Sequence, residues 1–399
     1  MVVGHRGRLA PNVIHVRDVR AEISKLRRRA GVAYAVPNAV AHASQALPDD
    51  PGRGHVAGGW QTVQWNFLAG GFGIDAPDAW AHAAAAGDPG AAGVTIAVLD
   101  TGVAYADHGR FLQSPDLAGT HFVRGYDFVD DDPFPNDHNG HGTHVASTLA
   151  ETTNNGVALT GLAFDARIMP VRVLDPHGEG DATAIAAGVR FAARHGAKII
   201  NLSLEFSTDV RAQDIPQLIA ALNYAHRKGA LLVGASGNEA RRAIAYPARA
   251  PFVISVGATT EHGCLSDFSN DGNGLDLVAP GGGADAQIAG DPNCRPFDPA
   301  GRDIYQMTFV GSSVRKFGLP SGYEGTSMAV PHVSGAAALI IASKVLGPDA
   351  TPAQLEARLK QTARDLGPTG PDTRYGAGLI DAGRATDPAI PAVGATSSG

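Results

Sequence analysis

The chain has 399 residues and a formal net charge of −7, with 44% hydrophobic and 18% charged residues. That balance suits a packed globular core, not a disordered chain, and the length accommodates one large domain with a small appendage. The acidic surplus argues against nucleic acid as a main partner, and no run of the roughly 18–20 apolar residues needed for a membrane-spanning helix is expected.

In chain order, the first stretch, MVVGHRGRLAPNV, has neither the apolar core nor the cleavage pattern of a signal peptide. VIHV (13–16) reads as a strand. Asp18 then opens a predicted helix in which Val19, Ile23, Leu26 and Ala30 recur at helical spacing. VAYAVPNAV (32–40) reads as a second strand. QALPDDPGRGHVAGG (45–59) is polar and Pro/Gly-rich, and 47–59 reads as a linker. Arg27, Arg28 and Arg29 are expected on a solvated helix face.

From residue 94 the pattern changes. VTIAVLD (94–100), RIMPVRVL (167–174), KIINLSL (198–204), ALLVGAS (230–236) and FVISVGA (252–258) are nearly continuous apolar runs. Strands read this way when both faces of a parallel sheet are covered. Helical stretches such as 183–196 lie between them, so the fold expected is α/β, a doubly wound and mostly parallel sheet in three layers. Ligands of such sheets sit at the carboxyl ends of the strands. Residues 281–323 interrupt the alternation and read as a surface insertion. Residues 387–399 are small and are expected to be disordered. Cys264 and Cys294 could form one disulfide or remain two thiols.

Three short runs carry chemistry. AVLDTGV (97–103) ends a strand on Asp100, NGHGTHVAS (139–147) sets His141 between glycines, and EGTSMAVPHVSG (324–335) places Ser327 at the start of an Ala/Gly-rich helix. A serine hydroxyl is a poor nucleophile unless a base within reach takes its proton. An imidazole held by a carboxylate supplies that base. Ser327 at a helix start would also present free N–H groups and a positive dipole to a developing oxyanion. Gly140 and Gly142 are expected to leave room for substrate beside His141. A zinc site made from His138, His141 and His144 is the weaker alternative, since it leaves the serine and aspartate runs without purpose.

The order Asp100, His141, Ser327 is the one found in subtilisin. Together with GASGNEA (234–240), these runs make residues 60–386 resemble the subtilisin-like serine peptidases. The resemblance implies a serine endopeptidase acting on polypeptides, with Asn238 donating to the oxyanion and no cofactor for catalysis. It also implies that substrate is held as an added strand between HGEGD (177–181) and SLEF (203–206), through Gly178, Gly180, Ser203, Leu204 and Glu205. Glu205 and Ala245 stand where the family commonly has glycine. If Glu205 faces the P1 pocket a basic P1 residue gains, and if it faces solvent small or medium apolar residues are preferred. Asp116 in SPDLAG (114–119) and Asn154 or Asn155 in ETTNNGVALTG (151–161) match a structural calcium site. Residues 1–46 resemble part of an inhibitory propeptide, its first half missing, which implies that the chain has its own propeptide as inhibitor. A monomeric, secreted or extracytoplasmic enzyme is implied, and the N-terminus leaves open whether the natural start lies upstream of Met1.

Overall fold

The computed structural model describes residues 2–5, 12–13, 19–36 and 47–392. It divides into two compact units, Met1–Ala46 and Leu47–Gly399.

In the first unit, β1 (Val2–His5) is the middle strand of an antiparallel sheet, between β2 (Asn12–Val13) and β3 (Val32–Val36). The helix α1 (Val19–Leu26) places Ile23 and Leu26, three residues apart, in a small core with Val3 and Ala35. The strand β1 escaped the sequence reading because four residues, VVGH, are too few to show alternation. Ala30 lies beyond the helix and is exposed, so the expected apolar face is one turn shorter. Asp18, residues 14–16 and residues 37–46 lie outside the described residues.

The second unit opens with α2 (Ala76–Ala85), β4 (Thr95–Asp100), β5 (His121–Phe122), β6 (Tyr126–Asp127), α3 (His141–Ala150) and β7 (Arg167–Arg172). It continues through α4 (Ala182–Arg194), β8 (Ile199–Leu202), α5 (Pro216–Arg227), β9 (Leu231–Ala235), β10 (Val253–Thr259) and β11 (Leu277–Pro280). A hairpin, β12 (Thr308–Phe309) and β13 (Phe317–Gly318), precedes α6 (Thr326–Ser343), α7 (Pro352–Thr362) and α8 (Ala382–Thr386). The main sheet runs β11-β10-β9-β8-β4-β7-β5, with β6 also on β7, and its pairings are parallel.

Alternation of side chains builds the three layers. Along β4, Ile96 and Val98 enter one core while Ala97 and Leu99 enter the other. Along β9, Leu231, Val233 and Ala235 join the first and Leu232 the second. The first core holds α2, α3 and α6, and the second holds α4 and α5. Because β7 lies on one side of β4 and β8 on the other, the winding reverses at β4. In an open parallel sheet that reversal leaves a crevice at the strand ends.

The helix α6 is long and apolar enough to span a membrane by length and composition, but 89% of that stretch is buried inside the protein. A helix apolar all round is what a core position requires.

Three segments depart from expectation. Residues 47–52 are packed in part, while 53–57 are exposed: the carbonyl of Pro48 accepts from Trp60 Nε1 at 2.7 Å, and the buried Asp50 carboxylate accepts from the amides of Asn154 and Asn155. Residues 304 and 306–309, within the expected surface insertion, are buried, and Ser147 Oγ on α3 donates to the Met307 carbonyl. The start of the expected disordered tail is held by the buried Arg358, which donates to the carbonyls of Asp387 and Ile390. Residues 393–399 lie outside the described residues.

Candidate active site

Asp100 is the last residue of β4, and its side chain is fully buried. Its Oδ1 accepts from His141 Nδ1 at 2.7 Å and from the Thr101 amide at 2.7 Å, while Oδ2 is buried without a partner among the described residues. His141 is the first residue of α3. The contact depends on Gly142: a Cβ there would lie 2.1 Å from the Gly102 carbonyl oxygen and 3.0 Å from Asp100 Cβ. Gly142 therefore lets the helix start abut the strand end. It does not make room for substrate, as the sequence had suggested.

Sequence reading missed the residue that anchors this helix start. Asp137 is fully buried. Its Oδ1 accepts from Thr101 Oγ1 and from the amides of Asn139 and Gly140, and its Oδ2 from the Thr143 amide and hydroxyl. Asp137 lies three residues before the N-cap Gly140, so its reach to the Thr143 amide is set by the turn between them and not by capping spacing, and the run DHNGHGT carried no capping signal for it.

Burial works to lower the pKa of His141. The charge and hydrogen bond of Asp100 oppose it, the charges of Asp137 and Glu205 assist, and the net direction is up. His144, the third member of that alternative zinc site, donates to the Ile304 carbonyl, stacks on Tyr323 at 4.2 Å, and is lowered by burial to about 3. His138 stacks on Phe111 instead. Among the described residues no three His, Cys, Asp or Glu side chains are grouped to hold a metal ion.

Ser327 is the second residue of α6. Gly325 before it adopts φ +149°, which favours glycine. The Ser327 hydroxyl donates to the Ser203 carbonyl at 3.2 Å, and Ser203 Oγ donates back to the Ser327 carbonyl at 2.8 Å. Ser203 directly follows β8, so the nucleophile candidate is tied to the sheet. Asn238, just past β9, accepts from the Thr326 amide through Oδ1 at 2.8 Å. Its Nδ2 donates to Glu205 Oε1 and Oε2 at 3.0 and 2.9 Å, and its backbone amide donates to Glu205 Oε1 at 3.0 Å.

His141, Ser327 and Asn238 line one cleft of about 690 Å³. Gly178 and Gly180 lie on its wall, as do Ser203, Leu204 and Glu205. Ala245 does not line it; it is buried, with its amide bonded to the Ser236 carbonyl. The Glu205 carboxylate lies on the cleft wall and is bonded to Asn238.

The expected metal residues lie elsewhere and are rearranged. Asp116 is fully buried and accepts from Asn155 Nδ2 at 2.8 Å and from the Leu159 amide at 3.0 Å. Asn154 is not beside it in this network; its Oδ1 accepts from the Asp49 amide. Asp50, missed in the sequence, shares Asn155 with Asp116. Burial raises the Asp116 carboxyl to about 7, and the charge of Asp50 adds to the rise.

A buried carboxylate on an imidazole, with a serine hydroxyl and an amide donor on the same cleft, is the equipment for acyl transfer. The sequence pattern of the subtilase family matches residues 91–378. A thermophilic serine proteinase of Bacillus sp. strain AK1 is 34% identical over 368 residues, 92% of this chain and 76% of that protein. Thermitase of Thermoactinomyces vulgaris is 37% identical over 312 residues, 78% of this chain and 93% of thermitase. A solved protease structure from Pseudoalteromonas arctica superposes with a TM-score of 0.66 at 30% identity, covering 85% of this chain and 98% of that one.

Proposed function

The chain belongs to the subtilase family and is a subtilisin-like serine endopeptidase, and from that premise we propose that Ser327, His141, Asp100 and Asn238 are its catalytic groups. The observation that carries this reading is the 2.7 Å contact of His141 Nδ1 with the buried Asp100, on the cleft that Ser327 also lines. With Nδ1–H held by Asp100, Nε2 is the free base. The Ser327 hydroxyl leaves the Ser203 carbonyl, gives its proton to Nε2 and attacks the scissile carbonyl carbon. The oxyanion takes the Asn238 amide and the Ser327 backbone N–H, which at the start of a helix has no intrahelical acceptor. The imidazolium then protonates the leaving amine. Water repeats the sequence on the acyl-enzyme, with His141 again as base.

In this reading substrate adds as a strand between the segments carrying Gly178 and Gly180 and carrying Ser203, Leu204 and Glu205, the two sides of the cleft. A fluorophosphonate probe should label Ser327, and Ser327→Ala should abolish both label and peptide hydrolysis. Labelling at a different residue of the folded protein would overturn the assignment.

We also infer a structural divalent cation at Asp116. The observation favouring it is a fully buried carboxylate with no cationic partner among the described residues and with Asp50 close enough to repel it. The carboxylates of Asp50 and Asp116 are the oxygen donors a hard ion such as Ca²⁺ takes, and Asn155, whose Nδ2 donates to Asp116, would have to turn its amide to add its oxygen. Asp50, Asp116 and Asn155 would hold it, with a stabilising role only.

A further inference from the structure

We propose that the Glu205 carboxylate is a resident anion on the Asn238 amide, which must be given up before that amide can serve an oxyanion. The inference rests on the catalytic reading above and assigns Glu205 a regulatory positioning role within it. Glu205 lines the cleft. Both of its oxygens receive Asn238 Nδ2, and Oε1 also receives the Asn238 backbone amide. The other end of the Asn238 amide is fixed by the Thr326 amide and hydroxyl, one residue before the nucleophile. The amide therefore has one orientation, with its N–H groups spent on a carboxylate.

A substrate oxyanion seeking the same N–H groups would stand beside an existing negative charge, in a partly desolvated site where like charges repel strongly. The stabilisation that normally lowers the barrier is cancelled while the carboxylate stays ionised and in place.

The charges facing Glu205 are His141 across the cleft and Glu239 beside Asn238. Burial raises Glu205 above the ordinary carboxylate range; the hydrogen bonds from the Asn238 backbone and side chain lower it, Glu239 raises it and His141 lowers it, for a net rise. The ionised form holds the amide more strongly than the neutral acid, so the hold strengthens as pH rises through the Glu205 pKa and weakens below it. The same charge raises the pKa of His141. Glu205 thus ties availability of the oxyanion donor to the protonation of the base.

The test compares wild type with Glu205→Gln and Glu205→Ala, at a pH on the plateau where His141 is neutral in all three. The expected result is a kcat higher by about tenfold in both variants, bounded by the roughly 10²–10³-fold value of one oxyanion donor, a figure that itself comes from a subtilisin. A peptidyl boronic acid, whose adduct carries a tetrahedral anion, should bind both variants more tightly by a similar factor. The acid limb of kcat/KM should move to lower pH, because His141 loses a neighbouring charge. Lower kcat and weaker boronate binding in both variants would mean that Glu205 supports Asn238, and would overturn the proposal. Unchanged kcat and boronate affinity in an active enzyme would overturn it too, leaving the catalytic reading intact. Failure of the fluorophosphonate to label any of the three forms would remove both.

Discussion

Asp137 shows how much of the site is decided by a residue that never touches substrate. It receives three hydrogen bonds from Thr101 and Thr143 and two from the amides of Asn139 and Gly140, all at the start of α3 where His141 sits. Asp137→Ala orphans these buried donors, and a loss of roughly 2–4 kcal/mol in stability is expected from that mechanism, read by urea unfolding. Activity carries a second signature. Asp137 helps hold the His141 pKa above its ordinary value. The base must be neutral, so activity falls as pH falls through that pKa. Removing the charge lowers the pKa and moves the acid limb of kcat/KM to lower pH. Asp137→Asn keeps one acceptor oxygen but turns an N–H₂ toward groups that donate to the carboxylate, so it should recover only part of the stability while still showing the pH shift. An unmoved acid limb in both variants would show that Asp137 only braces the helix.

At the level of elements, the loop joining α3 to β7 shows the same pattern, its amides donating to the buried carboxylates of Asp50 and Asp116. The inferred ion should make EDTA lower the Tm. A ligand that binds only the native state, at about 100 times its Kd, adds about 2.7 kcal/mol. Asp116→Ala should remove the EDTA sensitivity, whereas melting curves that superpose for wild type in EDTA and in excess Ca²⁺ would rule the ion out. This loop also marks where the sequence stopped being legible. The strands β4, β7, β8, β9 and β10 were readable because burial on both faces leaves continuous apolar runs, and Asp100, His141, Ser327 and Asn238 were readable because their local runs are long. Asp50 was not, since its partners Asn154 and Asn155 lie about a hundred residues away and a run of Pro, Gly and Asp looks the same exposed or packed. Asn155 and not Asn154 reaching Asp116 is a matter of side-chain direction, which composition does not encode. The disulfide was open in the sequence and is formed between Cys264 and Cys294; its 30-residue loop corresponds to roughly 3–4 kcal/mol in the loop-entropy account.

For the whole molecule, the question is how two compact units on one chain become an active peptidase. Among its described residues the unit 1–46, a sheet of three short strands with one helix, buries Val3, Ile23, Leu26 and Ala35 together. The resemblance to an inhibitory propeptide makes self-processing the natural expectation, and the contacts of residues 47–59 narrow where it can occur. Cutting within that stretch would detach Asp50 from the amides of Asn154 and Asn155 and Pro48 from Trp60, both buried contacts. Cleavage is therefore expected between about Asn38 and Ala46, before Leu47, and not throughout the linker as its composition alone suggested. Intact-mass spectrometry of wild type should find a product beginning near residues 39–47, and Ser327→Ala should remain full length. A product beginning beyond Gly59 would contradict the assignment of 47–59 to the peptidase unit. If wild type stays uncut while Ser327 still takes the fluorophosphonate, the N-terminal unit is a permanent part of the enzyme and its inhibitory role falls.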